Sequence, residues 1–184
     1  IIALMLLFVS CKTTHKFPIT SSGKIIPITL FKSDYIDARN IDVWLPEGYN
    51  SKTKYPVIYM HDGQMLFDKK NTWNGQEWGV DEVMGELIKD GLPAAIVVGI
   101  WNNPATRHSD FVPQKAIEKY TTFAQKKIFK NVLNADNYLS YIVNEIKPYI
   151  DESFSTNPLA EHTFIAGSSM GGLISFYGLI EYPN

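Results

Sequence analysis

The sequence has 184 residues, of which 45% are hydrophobic and 13% aromatic, a composition that supports one packed core and excludes a disordered chain. Lys and Arg total 17 and Asp and Glu total 19, so the formal net charge is -2. A charge this small creates no field that would attract phosphates or an anionic surface, which argues against nucleic acid as a partner. The composition carries no signal for the oligomeric state.

An unbroken apolar run, residues 1–9, precedes Ser10 and Cys11. A membrane-spanning helix needs about 20 apolar residues, so this run fits the apolar region of a signal peptide better, with a buried strand as the alternative. A small residue followed by cysteine resembles the cleavage box of bacterial lipoproteins. We therefore expect residues 1–11 to be a signal-peptide remnant. The protein is expected to be secreted or held in a bacterial envelope by a lipid on Cys11, as a periplasmic or outer-membrane lipoprotein.

The single cysteine also limits the chemistry of the chain. Cys11 has no second cysteine with which to form an internal disulfide, and a zinc cluster built from cysteines is excluded. We expect no cofactor and no metal. Residues 12–23, rich in Thr, Ser and Lys, predict a mobile tether, and residues 24–184 predict the folded domain.

The folded domain shows alternating strand and helix patterns. Residues 25–31 and 36–45 predict two antiparallel strands, and the continuous apolar runs at 55–60 and 94–100 predict strands buried on both faces of a parallel sheet. Further along the chain the pattern predicts a strand at 162–166 and helices at 80–89, 137–150 and 171–180. This order indicates an α/β fold, a mostly parallel sheet with helices on both faces.

The strongest local motif is G-x-S-x-G at residues 167–171, between a predicted strand and a predicted helix. Ser169 is the serine with glycine two residues away on each side. Such a strained strand-to-helix turn presents a nucleophilic hydroxyl in acyl-transfer enzymes, and the flanking glycines relieve backbone crowding. The N–H of Met170, at the start of the helix, is a candidate donor to a developing oxyanion.

A second oxyanion donor is expected from the loop after the strand at 55–60. That loop reads His61-Asp62-Gly63-Gln64. Gly63 would let the backbone approach a substrate closely, so the N–H of Gln64 is the candidate donor. A plain turn is the alternative, because Asp-Gly is common in turns.

Several segments together resemble the Putative esterase family, the esterase D-like branch of the α/β hydrolases. They are YPVIYMHDGQMLFD at 55–68, WNGQEWGVDE at 73–82, the strand 96–100 leading to Asn102, Arg107 and Pro113, and HTFIAGSSMGGLISFYGLIEYP at 162–183. The family includes feruloyl and acetylxylan esterases, siderophore-lactone esterases and mycolyl transferases. The resemblance implies the α/β-hydrolase fold, Ser169 as nucleophile, and the amides of Met170 and Gln64 as oxyanion hole.

In this fold the catalytic acid and histidine follow the nucleophile along the chain, and residues 170–184 contain neither Asp nor His. The chain therefore resembles the N-terminal part of such an enzyme, truncated at the C-terminus. Glu181 is expected to be a surface charge. Of the four histidines, His61 is the nearest candidate base, although chain order argues against it.

The residues leave several roles open. Three tryptophans could line an acyl or sugar cleft or belong to the core: Trp73, Trp78 and Trp101. Arg107 could steady a loop or hold a substrate carboxylate. We expect a serine carboxylic-ester hydrolase that acts on a small-molecule or polysaccharide ester, with an acylated sugar as the first candidate. An acyltransferase and a non-catalytic carbohydrate-binding protein of the same fold are the alternatives.

Overall fold

The computed structural model of the protein describes residues 18–120 and 133–183. The predicted signal-peptide remnant at residues 1–11, with Cys11, lies outside the described residues. In the described ranges, no helix combines the length and the apolar character that crossing a membrane requires.

Five strands form one sheet: β1 (Lys24–Phe31), β2 (Arg39–Leu45), β3 (Val57–His61), β4 (Ile96–Ile100) and β5 (Thr163–Ala166). Their order across the sheet is β1-β2-β4-β3-β5. The β1–β2 pair is antiparallel, as predicted, and so is the β2–β4 pair. Strand β3 runs parallel to both β4 and β5. The described sheet is therefore mixed. Strand β5, in its parallel part, leads into the G-x-S-x-G turn.

The helices that link these strands are α1 (Val80–Lys89), α2 (Arg107–Phe111), α3 (Gln114–Tyr120), α4 (Ala135–Tyr141), α5 (Lys147–Ser153) and α6 (Met170–Glu181). A π-helical turn, Ile142–Ile146, joins α4 to α5, where the sequence predicts one continuous helix. Two 3-10 turns lie at Gly63–Met65 and Ala160–His162. Helices α2 and α3, in the long connection after β4, are not among the helices that the sequence pattern predicts.

Helices cover both faces of the sheet because the two faces of its strands are both apolar. On one face Val80, Met84 and Ile88 of α1 pack against a buried cluster that includes Trp44 and Val97. The larger cluster on the other face joins side chains of α2, α4, α5 and α6 to the strands; its helical members include Phe111, Tyr138, Ile150, Ile174 and Tyr177. This packing confirms the predicted α/β arrangement.

The described residues before β1 are hydrogen-bonded to the rest of the domain. The side-chain carboxylate of Asp81 accepts hydrogen bonds from both N and Oγ of Ser21, at 2.7 and 3.0 Å. The backbone N–H of Ile19 donates to Asp68 Oδ2 at 3.1 Å, and the indole of Trp44 donates to the carbonyl oxygen of Ser22 at 2.8 Å. Asp68, Asp81 and Trp44 thus hold residues 19–22 against the folded domain.

Candidate active site

Ser169 occupies the sharp turn between β5 and α6, where the sequence places it. Its backbone has φ 56° and ψ -121°, and its side chain is exposed. A positive φ is unfavourable for a residue with a Cβ and costs about 1–3 kcal/mol, so it persists only where the surrounding structure imposes it. The turn therefore stores backbone strain at the residue whose hydroxyl it presents to solvent.

The two glycines that flank Ser169 have different surroundings. A Cβ on Gly167 would lie 2.7 Å from the carbonyl carbon of Gly171 and 2.9 Å from its Cα, distances that exclude a side chain. A Cβ on Gly171 would meet only ordinary contacts, the nearest being His61 Cβ at 3.5 Å and Asp62 Oδ2 at 3.7 Å. Backbone crowding, which the motif predicts on both sides, is thus present only at Gly167.

Met170 is the first residue of α6, and the hydrogen bonds of the first turn begin after it. The N–H of Gly171 donates to the carbonyl oxygen of Ser168 at 2.8 Å, and that of Gly172 donates to Ser169 at 3.0 Å. The leading N–H groups of a helix have no partner inside it. The N–H of Met170, next in the chain to Ser169, therefore has no partner inside the helix, as the donor role predicted for it requires.

The loop that carries Gln64 comes close to this turn because the three parallel strands end together. Strand β3 lies between β4 and β5, and in register His61 is opposite Ile100 while Met60 is opposite Ala166. The segments that follow β3, β4 and β5 consequently meet at one edge of the sheet. The carboxyl edge of parallel strands is where α/β proteins bind ligands.

Gly63 lies in close contact with the backbone of a neighbouring strand. A Cβ on Gly63 would lie 2.4 Å from the carbonyl carbon of Gly99 and 2.8 Å from the nitrogen of Ile100. The glycine thus allows the turn to pack against the backbone of β4, a contact that the sequence does not predict. Gln64, one residue later, is half-buried in the Gly63–Met65 turn, and its side-chain Oε1 accepts a bond from Asn102 N at 3.1 Å.

Asp62, in the loop before Gln64, is a residue to which the sequence assigns no role of its own. It is 3% exposed and has a left-handed backbone with φ 59°. Its carboxylate accepts from Arg107 Nε and Nη2, each at 2.7 Å, and from Asn102 Nδ2 at 2.6 Å. Arg107, whose role the sequence leaves open, therefore steadies this loop. Its guanidinium also lies 5.0 Å over the ring of Phe111.

His61, the nearest candidate base, is committed to the core. Its side chain is fully buried, Nδ1 shares a 2.8 Å hydrogen bond with Tyr138 Oη, and Nε2 has no partner among the described residues. Burial, aided by the nearby charge of Arg107 and opposed by that of Asp62, lowers the pKa of His61 to about 4. The imidazole is therefore neutral at pH 7 and shares no hydrogen bond with Ser169 within the described ranges.

The remaining sequence candidates divide between surface and core. Trp73 is 86% exposed and Trp78 36%, whereas Trp101 is half-buried and donates from Nε1 to Asp42 Oδ2 at 2.7 Å. Glu181 forms an ion pair with Lys115, in agreement with the surface role expected for it. Asp62 and Asn102 lie in segments that carry the family resemblance, but only long-range contacts in the structure show what they and Tyr138 bind.

Curated relatives match most of this chain but extend well beyond its length. The uncharacterized protein YbbA of Bacillus subtilis (strain 168) is 25% identical over 150 residues, which are 79% of this chain and 52% of that protein. The uncharacterized protein YjcH of the same organism is 22% identical over 164 residues, 89% of this chain and 58% of that protein. The chain spans about half the length of these relatives.

Solved structures share the fold. An IroE-like serine hydrolase from Shewanella oneidensis matches with 24% identity and a TM-score of 0.59, over 85% of this chain and 46% of that one. The enterobactin esterase FES from Shigella flexneri, solved with enterobactin, matches with 18% identity and a TM-score of 0.64. That match covers 90% of this chain and 36% of the FES chain. The ferulic acid esterase AmCE1/Fae1A from Anaeromyces mucronatus, in complex with ferulic acid, matches with 23% identity and a TM-score of 0.58. That match covers 91% of this chain and 55% of the esterase chain.

These likenesses establish the α/β-hydrolase fold for the described part of the chain. The family model described as Putative esterase matches residues 35–184, which include the turn at Ser169 and the loop at Gln64. The match confirms the family that the sequence resembles. The chain belongs to the Putative esterase family.

Proposed function

We propose that the protein is a serine carboxylic-ester hydrolase that forms an acyl-enzyme at Ser169. The observation that carries the proposal is the strained backbone of Ser169, with φ 56° and ψ -121°, at an exposed strand-to-helix turn. Strain of this kind in a non-glycine residue is retained where function requires one hydroxyl orientation. Membership of the esterase family supports the same reaction class.

In the proposed reaction, Ser169 Oγ attacks the carbonyl carbon of the ester and the carbonyl oxygen becomes an oxyanion. The N–H groups of Met170 and Gln64 stabilise that charge, a contribution worth about 10²–10³ in rate for each donor. A base takes the serine proton and returns it to the departing alkoxide, and water then hydrolyses the acyl-enzyme. Because His61 is buried, bonded to Tyr138 and low in pKa, the base is another residue of the whole protein.

We propose an acylated sugar or polysaccharide as the substrate class. The support is Trp73, which is 86% exposed in the segment between the Gly63–Met65 turn and α1. That segment returns to the turn, since the N–H of Trp78 donates to the carbonyl oxygen of Met65 at 2.8 Å. An exposed indole offers a broad apolar surface to a ligand. AmCE1/Fae1A, of the same fold, was solved with ferulic acid.

The experiment compares two adjacent serines in the full-length protein. Ser169→Ala is expected to abolish hydrolysis of an aryl ester such as p-nitrophenyl acetate and to abolish covalent labelling by a fluorophosphonate. Ser168→Ala, the matched control, should keep most of both, because Ser168 lacks the positive φ. Equal losses in the two variants would contradict the assignment of Ser169.

The substrate class is tested separately with feruloylated and acetylated oligosaccharides, a siderophore lactone and the aryl ester. Trp73→Ala should raise KM for the sugar esters and leave KM for the aryl ester unchanged. A siderophore lactone turned over faster than every sugar ester would replace the proposed substrate class and leave the assignment of Ser169 intact.

A further inference from the structure

The carboxylate of Asp62 is held more tightly than a surface ion pair would be. Arg107 donates to it from Nε and Nη2 in a two-pronged arrangement, each bond 2.7 Å long, and Asn102 adds a third donor at 2.6 Å. The side chains of Arg107 and Asp62 are 24% and 4% exposed. Two parallel charge-assisted bonds to a buried carboxylate fix orientation as well as distance.

This carboxylate belongs to the residue that begins the Gly63–Met65 turn. Asp62 has φ 59° and ψ 42°, so the chain reverses direction there before it reaches Gln64. The segment after β4 holds the turn a second time, since Asn102 N donates to Gln64 Oε1 at 3.1 Å. Residues 102 and 107 therefore restrain both the start of the turn and the residue whose N–H is the proposed oxyanion donor.

The same carboxylate also lies against the nucleophile turn. Asp62 Oδ2 is 3.7 Å from the position that a Cβ would occupy on Gly171, two residues after Ser169. An oxyanion hole requires its two donors at a fixed separation, because a displacement of about 1 Å can cost about 10²-fold in rate. A side chain that contacts one donor segment and holds the other is placed to set that separation.

We propose that Asp62 and Arg107 are positioning residues for the oxyanion hole: their ion pair holds the N–H of Gln64 in register with that of Met170. The inference rests on the proposed function at Ser169. It assigns Arg107 a role through Asp62, with which both Nε and Nη2 are engaged, and not through the substrate. Loss of the pair should consequently lower kcat and leave KM nearly unchanged, as expected when an interaction is made only in the transition state.

The chain contains a matched control in a second buried ion pair on the same helix. Arg39 Nη2 lies 3.1 Å from Asp110 Oδ2, and the two side chains are 4% and 1% exposed. Asp110 also accepts from Thr106 and Asn134, at 2.7 and 2.9 Å. This pair fastens α2 to β2 without a hydrogen bond to residues 62–64, so its loss should affect stability without displacing the Gln64 N–H.

The experiment measures kcat, KM and Tm for Asp62→Asn, Arg107→Lys, Arg39→Lys and Asp110→Asn in the full-length protein, with p-nitrophenyl acetate as substrate. Fluorophosphonate labelling counts the active sites. Asp62→Asn and Arg107→Lys should lower kcat about 10- to 100-fold with KM within about 3-fold. Arg39→Lys and Asp110→Asn should lower Tm and keep kcat per active site within about 2-fold.

Two further variants keep the proposal testable if Asp62→Asn does not fold. Asn102→Ala removes one of the three donors and should lower kcat by a smaller factor, about 3- to 10-fold. The second variant is Arg107→Ala. Added guanidinium at millimolar concentration should restore part of its kcat, since the ion supplies the two N–H donors that the Asp62 carboxylate has lost.

The proposal is overturned if Arg107→Lys raises KM without lowering kcat, or if guanidinium restores no activity to Arg107→Ala. It is also overturned if loss of the Arg39–Asp110 pair lowers kcat as much as loss of the Arg107–Asp62 pair. Wild-type turnover no higher than that of Ser169→Ala would instead remove the proposed function itself.

Discussion

Gly63 and Gly99 bring two backbones into direct contact: a Cβ on Gly63 would lie 2.4 Å from the carbonyl carbon of Gly99. Gly63 is buried, and the atoms that it would meet are backbone atoms of β4, which cannot rotate away as a side chain can. The Gly63–Met65 turn is therefore placed by close approach to the centre of the sheet.

Gly63→Ala should destabilise the protein by about 3 kcal/mol, since the added methyl forces the turn away from β4. Gly48→Ala is the control, because Gly48 has φ +73° but no atom within 4 Å of its Cβ position, so only the backbone penalty of about 1 kcal/mol applies. Urea unfolding of both variants measures the difference. Equal losses of unfolding free energy in the two variants would show that the close approach to β4 does not exclude a side chain at residue 63.

The glycines around Ser169 should respond unequally to alanine. Gly167→Ala places a methyl 2.7 Å from the carbonyl carbon of Gly171 and should cost about 2 kcal/mol, whereas the methyl of Gly171→Ala makes no contact under 3.5 Å. Gly171 lies in the first turn of α6, where alanine is favoured over glycine by up to about 1 kcal/mol. Thermal unfolding distinguishes the two, and a larger loss at Gly171 would contradict the geometry.

Two buried groups make opposite contributions to stability as pH changes. Burial raises the pKa of Asp42 from 3.8 to about 6, and the hydrogen bond from Trp101 opposes this rise. The contribution of Asp42 to the stability of the fold is therefore complete below pH 3.8 and is lost as pH rises through 6. The pKa of His61 falls from 6.5 to about 4, so its contribution is complete above pH 6.5 and is lost as pH falls through 4.

Between pH 4 and 6 these contributions, about 3 kcal/mol each, should nearly cancel. Asp42→Asn should therefore give a stability that rises with pH in this window, and His61→Gln one that falls. Urea unfolding at half-unit steps of pH, with the wild type as reference, measures both slopes. Parallel profiles for all three proteins would refute the opposed titrations.

We propose that a lipid on Cys11 attaches the protein to a bacterial membrane, since Cys11 follows an apolar run and a small residue. The full-length protein should sediment with membranes, and Cys11→Ala should move it to the soluble fraction, because the lipid requires the thiol. A mutation of the neighbouring Lys12 to Ala serves as control. A wild type found wholly in the soluble fraction would favour ordinary secretion or a cytoplasmic enzyme.

Local sequence patterns alone determined helix α1 and the turn that carries the nucleophile. The apolar spacing in residues 80–89 predicts α1 with the bounds that the structure has, and the motif at 167–171 places Ser169 between a strand and a helix. Both depend on interactions within a few residues, the helical period and the backbone geometry of one turn, which a sequence records directly.

The tertiary structure decided what surrounds that nucleophile. Asp62 and Arg107 are 45 residues apart and His61 and Tyr138 are 77 apart, and each pair forms only because β3 lies between β4 and β5. Gly63 is likewise confined by Gly99 of a neighbouring strand. Strand order arises from the packing of the whole sheet, and no local period or propensity records which distant residues it brings together.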